Sequence, residues 1–390
     1  MTTPIAWLDL SRQLHTVDAT GRESSHTPRI DRSLMWGSLA AEAAEASSTW
    51  SWPTWSPDGK KLAVFRAPSA AGQPTVVQIT DPAGVQAIEP ASLATRLPIY
   101  LCWSPRGTSV AVLAQDRDRL GLQVVQPGRF AKPVDLATGS PLFFAWSDEH
   151  HLAAFVGNPD APSQMRQLGS DGSSAAFPGE PGNFCAPTPM ADGRVAYVVE
   201  GRDGLELVAA RAGDERAAVL ESVQGLVALV GSPDGRKVAR AIAPLGDGTP
   251  YREIAILDPH TGAIDVVWRE ACLAFFWTPD GNALVVCRVD TERNLLQWHH
   301  APIGGQPSWL ATLQPTRDFG FYLRFFEQFS ISHPIVDDRY VLLAGTSVGR
   351  DPGRAPPAVR RLDWRTGEFE VVGEGVFGTF ARVAPAGPPG

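Results

Sequence analysis

The sequence predicts an all-β protein: a β-propeller of four-stranded blades, eight by the fullest count and seven by the alternative. Three observations predict it. A turn motif returns every 42 to 56 residues along a chain of 390, an apolar strand follows each copy, and turn formers are abundant, with 37 Gly and 34 Pro. A repeat of this length suits four strands stacked as one blade. With 44 % hydrophobic and 19 % charged residues, the chain buries enough surface to offset its ordering entropy.

The clearest copies of the motif are Trp55-Ser-Pro-Asp-Gly59, Trp103-Ser-Pro-Arg-Gly107 and Trp277-Thr-Pro-Asp-Gly281. Weaker copies start at Trp146, Pro189, Gly231 and His333, and an eighth at Val383 (Val383-Ala-Pro-Ala-Gly387). In the good copies Pro sets φ at the first corner, Asp, or Arg106 in the Trp103 copy, takes the second, and Gly supplies the positive φ that ends the turn. The strand after it is apolar on both faces, Leu62 and Val64 against Ala63 and Phe65, as expected for a sheet sandwiched between two others. The anchor tryptophans read as wedges between blades, their indole N–H groups near a solvated turn.

A second motif marks the hairpin between the third and fourth strands: Asp81 to Gly84, Asp258 to Gly262 and Asp363 to Gly367. Its first copy, Asp18 to Gly21, precedes every anchor. About three N-terminal strands thus lack an innermost strand, and the C-terminal segment at Val383 is expected to supply it, closing the ring and removing exposed edges. Residues 1–390 form one domain on this reading.

The W-[ST]-P-D-G signature and its trailing strand resemble the WD40-like (PD40) repeats of TolB-type propellers and the propeller domains of prolyl-oligopeptidase-like proteins. The resemblance spans nearly the whole chain and implies the propeller fold. The export signal of those families, the α/β domain that precedes the propeller in TolB and a following hydrolase domain are not seen.

Function is sought where the repeat is interrupted. Residues 28–51 form an insertion whose Ser33-to-Ser47 stretch has the Ala, Leu and Glu content of a short helix. Residues 316–333 form an aromatic-rich insertion in the longest repeat. There Arg317, Asp318, Phe321, Tyr322, Arg324, Phe325, Glu327 and His333 are the candidate binding residues, since aromatics interleaved with charge make a pocket for a polar ligand. Because residues entering an anchor lie on an innermost strand, the stretch from Glu327 to His333 is expected to face the central channel. Gly345-Thr-Ser347-Val-Gly349 matches the G-x-S-x-G pattern, but the Pro-rich segment after it cannot be the helix a nucleophile elbow requires. Cys272 and Cys287 flank the turn at Pro279 symmetrically and read as cross-strand buried thiols. The pairs His150–His151 and His299–His300 alternate faces and make no compact site alone.

Composition narrows the function. A net charge of −8 with no Lys/Arg block argues against nucleic acid. There is no basic, apolar leader and no apolar run long enough for a membrane helix, so a cytoplasmic protein without membrane insertion is expected. No CxxC, H-E-x-x-H, Walker A or dinucleotide-binding loop occurs, so no metal, cofactor or catalytic residue is assigned. The favoured function is a non-catalytic, monomeric scaffold that binds a protein or peptide through its top-face loops and channel mouth. The alternatives are a channel-mouth lyase or hydrolase acting on a carbohydrate- or peptide-like ligand, with Glu327 and His333 as acid and base, and a small-ligand sensor.

Overall fold

The computed structural model describes residues 3–26, 48–68, 73–82, 87–94, 96–127, 132–244, 251–329, 335–348 and 355–381. The helix expected at Ser33 to Ser47, His333 and Val383 to Gly387 lie outside them.

In chain order the strands are β1 (Ile5–Leu8), β2 (Leu14–Val17), β3 (Glu23–His26), β4 (Thr49–Trp55), β5 (Leu62–Ala67), β6 (Val76–Thr80), β7 (Ala87–Ser92), β8 (Leu97–Trp103), β9 (Val110–Asp116), β10 (Arg119–Val125), β11 (Val134–Gly139), β12 (Leu142–Trp146), β13 (His151–Val156), β14 (Gln164–Gly169), β15 (Ser174–Ala176), β16 (Thr188–Pro189), β17 (Val195–Gly201), β18 (Gly204–Ala210), β19 (Ala218–Val223), β20 (Leu226–Gly231), β21 (Val238–Ala243), β22 (Glu253–Leu257), β23 (Ile264–Trp268), β24 (Ala274–Trp277), β25 (Ala283–Asp290), β26 (Leu295–Pro302), β27 (Ser308–Pro315), β28 (Tyr340–Ser347), β29 (Ala358–Asp363), β30 (Phe369–Glu374) and β31 (Phe377–Phe380). Between β27 and β28 run a short helix α1 (Arg317–Tyr322) and a 3-10 helix η1 (Leu323–Phe329).

Antiparallel four-stranded meanders repeat along the chain: β4 to β7, β8 to β11, β12 to β15, β16 to β19 and β20 to β23. Strands β24 to β30 form a seven-stranded sheet, in which β27 meets β28 through Leu313 opposite Ser347 and Pro315 opposite Gly345. A further sheet has the order β3-β2-β1-β31. There the C-terminal strand pairs with the first, Ile5 opposite Phe380 and Leu8 opposite Phe377. These meanders, apolar on both faces, make an all-β propeller-type fold. Leu62, Ala63, Val64 and Phe65 are each almost wholly buried, because sheets lie against both of their faces.

The strand joined to β1 is Phe377–Phe380, a few residues before the Val383 motif that was expected to mark it. The anchor expected at His333 shifts the other way, toward the C-terminus. The turn bond Asp337 N to Tyr340 O and the bridge between Val336 and Val341 place that turn at Val336-Asp337.

The anchor turns share one hydrogen-bond plan. In the first good copy the Ser56 hydroxyl donates to Asp58 Oδ1 at 2.6 Å, and the same oxygen accepts from Lys60 N. Ser232 with Asp234 and Thr278 with Asp280 repeat it. The Trp103 copy has Arg106 where the others have Asp, and the carboxylate comes from the neighbouring sheet. Glu149 accepts from Ser104 Oγ at 2.7 Å, from Thr108 N at 3.1 Å and from Arg106 N. Burial opposes its charge, but these bonds hold the carboxyl below its ordinary pKa.

The anchor tryptophans do more than wedge. Their indole N–H groups, expected near solvent, are buried and donate to the innermost strand of the preceding sheet: Trp55 to Thr379 O, Trp103 to Thr54 O, Trp146 to Cys102 O and Trp277 to Val230 O. The innermost edge of a sheet has no further strand to pair with, so its carbonyls need such donors. Each acceptor directly precedes an anchor position, which makes Phe380 the counterpart of Trp55.

Cys272 and Cys287 are free and buried. Ala274, not Cys272, stands opposite Cys287, so the two thiols are diagonal neighbours on one face. His299 packs edge-on against Trp268 and His300 stacks on Trp364, pointing to opposite faces as the alternation requires. Ser347 is the last residue of β28.

Candidate functional site

Residues 317–329 are helical, not the strand expected from Glu327 onward. Thr316 is the N-cap, its hydroxyl accepting from Phe319 N at 3.1 Å. Phe319, Tyr322, Leu323 and Phe326 are buried, and their 3- and 4-residue spacing is the signal that sequence reasoning missed. One side of the segment is thereby anchored among the sheets. Arg317, Phe321 and Arg324, at the same spacing, stay exposed.

The buried side is tied to several sheets. Gln328 Oε1 accepts from Tyr100 OH of β8 at 2.6 Å and from Phe144 N of β12 at 3.2 Å, serving an innermost-strand N–H as the indoles serve carbonyls. Glu327 Oε1 accepts from Tyr251 OH at 2.8 Å, and Cys185 Sγ lies 3.6 Å from the same hydroxyl. Glu327 is only 3 % exposed. Burial pushes its carboxyl up to about 7, against the bonds from Tyr251 and Cys185. Burial likewise raises the Tyr251 phenol and the Cys185 thiol well above their ordinary values.

On the exposed side a hollow of about 290 Å³ opens where β4, β8 and β31 begin. It is lined by Leu8, Trp52, Pro98, Ile99, Phe321 and Phe377, with Arg12, Ser51, Arg317 and Asp318 at its rim. Arg12 Nη2 pairs with Asp318 Oδ1 at 2.7 Å. Trp52 carries a positive φ of 56°, a conformation uncommon for a bulky residue, at the register shift of β4 between Ser51 and Thr54. This bulge turns its ring into a cluster with Tyr100, Phe321, Tyr322, Phe325 and Phe377. Arg12 also has a positive φ, 58°. Backbone held in rare conformations collects at functional sites.

The structure thus brings together Arg317, Asp318 and Phe321 at the hollow, with Phe325 and Tyr322 packed on Trp52 beneath; Arg324 is exposed three residues beyond Phe321 and does not line it. It separates Glu327, which faces the sheets and does not line the hollow. Leu8, Arg12, Trp52, Pro98, Ile99 and Phe377 were not foreseen, because they reach the site from three distant repeats.

A second hollow of about 600 Å³ lies among the anchor turns, lined by Arg106, Asp148, Glu149, His150, Met190 and Asp234 among others. Its carboxylates already hold those turns: Asp148 accepts from His150 N, and Asp234 from Ser232 Oγ. Among the described residues no group of three or more His, Cys, Asp or Glu side chains is placed to hold a metal ion, and no helix is long and apolar enough to cross a membrane.

No family model and no curated protein matches this sequence. Solved structures do. A prolyl endopeptidase is similar with a TM-score of 0.52 and 12% identity, over 85% of this chain and 50% of that one. A eukaryotic initiation factor is similar with a TM-score of 0.51 and 11% identity, over 98% and 99%. TolB from Acinetobacter baumannii is matched at a TM-score of 0.40 and 15% identity, over 79% and 66%. The chain therefore spans half the length of the prolyl endopeptidase and 66% of that TolB. At these identities the likeness is one of fold. Together with the repeated four-stranded sheets, the two likenesses above 0.5 show this chain to be an all-β protein with the β-propeller fold.

Proposed function

We propose that the chain is a single propeller domain of eight blades, the seven-stranded sheet supplying two of them and β31 closing the ring, and that it serves as a non-catalytic scaffold. Another protein or peptide docks on the face formed by α1 and the beginnings of β4 and β8. The observation that carries this reading is Phe321, 43 % exposed at the edge of an apolar hollow and flanked by Arg317 and Arg324. Aromatic and arginine side chains beside an apolar pocket are the residue types that dominate binding energy at interfaces. The rigid aromatic cluster below presents them with little ordering cost.

Glu327 supports this reading over the enzyme. A general acid must reach the proton it transfers, and Glu327 is enclosed and engaged by Tyr251. The test is affinity capture with the tagged protein and with Phe321→Ala. A stoichiometric partner lost from the variant, at unchanged melting temperature, supports docking here; a capture profile that Phe321→Ala leaves unchanged contradicts it.

A further inference from the structure

Resting on that docking reading, we propose the chemistry of the occupant: an extended acidic peptide segment that seats one apolar side chain in the hollow and places carboxylates on Arg317 and Arg324. Charge is the first argument. The chain as a whole carries −8, yet this face gathers Arg12, Arg317 and Arg324 against Asp318. Arg12 is neutralised by Asp318. Arg317 and Arg324 are exposed, and neither forms an ion pair among the described residues. Two free guanidiniums on an acidic body form a local attractor for carboxylates, which they bind bidentately. Two are too few for a nucleic-acid backbone, whose affinity grows with each phosphate neutralised.

Size and shape are the second argument. A hollow of about 290 Å³ lies at the lower limit for small-ligand pockets, roughly 300 Å³; it suits one side chain better than a whole metabolite. Leu8, Trp52, Pro98, Ile99, Phe321 and Phe377 make it apolar, and Leu97, 65 % exposed, follows on along β8. The seven steps from Arg317 to Arg324 span about 10 to 12 Å at helical rise, the reach of three or four extended residues at about 3.3 Å each. The favoured ligand is therefore an apolar residue with acidic neighbours within that reach.

The experiment pans displayed random dodecapeptides on the full chain, then measures synthetic versions of the enriched sequences by fluorescence polarisation. Enriched sequences are expected to carry Asp or Glu within three or four residues of a Leu, Ile, Phe or Trp. Replacing the peptide's acids by amides, or combining Arg317→Glu with Arg324→Glu in the protein, should weaken binding at least about tenfold. The milder Arg317→Gln with Arg324→Gln pair, checked for an unchanged melting temperature, should weaken it in the same direction. Peptides without acids, or insensitivity to both arginine pairs, overturn the acidic occupant; the docking face itself survives if Phe321→Ala still abolishes binding. Insensitivity to Phe321→Ala overturns the face as well. Failure to enrich any sequence overturns a linear-peptide ligand, leaving the face to be judged by the capture experiment.

Discussion

Two carboxyl groups show how single residues depart from the repeat with different consequences. Glu149 stands in for the Asp that Arg106 replaced, and it serves two hydroxyls, of Ser104 and Thr108, and two amides of a neighbouring turn. Glu149→Ala removes their common acceptor and should cost roughly 2 kcal/mol or more in urea unfolding, the scale of hydrogen bonds to charged groups. Adding Arg106→Asp should restore a good part of that loss, because the repeat's own acceptor returns; no recovery would show that Glu149 matters through packing. Glu327 carries the second prediction. Its native pKa is raised to about 7 from 4.5, so the folded state binds more protons between those values and stability falls as pH rises from about 4.5 to about 7. The slope is at most roughly 1.4 kcal/mol per pH unit. Below that window the contribution is fully present, and above it the contribution is lost. Glu327→Gln should flatten the profile across the window; an unaltered slope would assign it to other groups. The acidic turn residues were legible in sequence because Pro-Asp-Gly encodes a local geometry. Glu149 was not, since its partners lie 41 to 45 residues away.

The helical segment carries the functional reading, and its two sides predict opposite mutational responses. Phe326 is buried against Phe275, Phe276 and Tyr251, so Phe326→Ala should cost about 3 to 5 kcal/mol through the cavity it leaves. Phe321→Ala, on the exposed side, should cost less than about 1 kcal/mol. Thermal unfolding of both variants checks the assignment, and equal losses would place Phe321 in the core. The richness in aromatics was visible in sequence and marked the segment for notice. Its helicity was not anticipated, because the repeat made residues before an anchor look like an innermost strand. The Thr316 cap and the spacing of Phe319, Tyr322, Leu323 and Phe326 were the competing signal, and tertiary burial of that stripe settled the outcome.

Taken whole, the fold was the most legible feature, since strands and turns returning at blade length leave few alternatives. The pairing of the chain's two ends was legible as well: three N-terminal strands lacked a partner, and β31 joins β1. Its register was not, because Phe380 has neither the tryptophan nor the Pro-Asp-Gly of a good copy. Ala6 stands opposite Thr379, so Ala6→Cys with Thr379→Cys should form a disulfide under mild oxidation, read as a linked peptide by mass spectrometry. A failure to link them would contradict that pairing. The hollow, assembled from β1, β4, β8, β31 and α1, lay beyond sequence because no local pattern says which repeats converge there. The central claim is that this face, and not the outer rim, receives the partner. A photo-crosslinking amino acid placed at Phe321, with Trp309 as the control because it is 62 % exposed on the outer strand β27, tests it most directly in living cells. The account predicts one discrete adduct from position 321 and none from 309; no adduct at 321, or the same adducts from both, would contradict it.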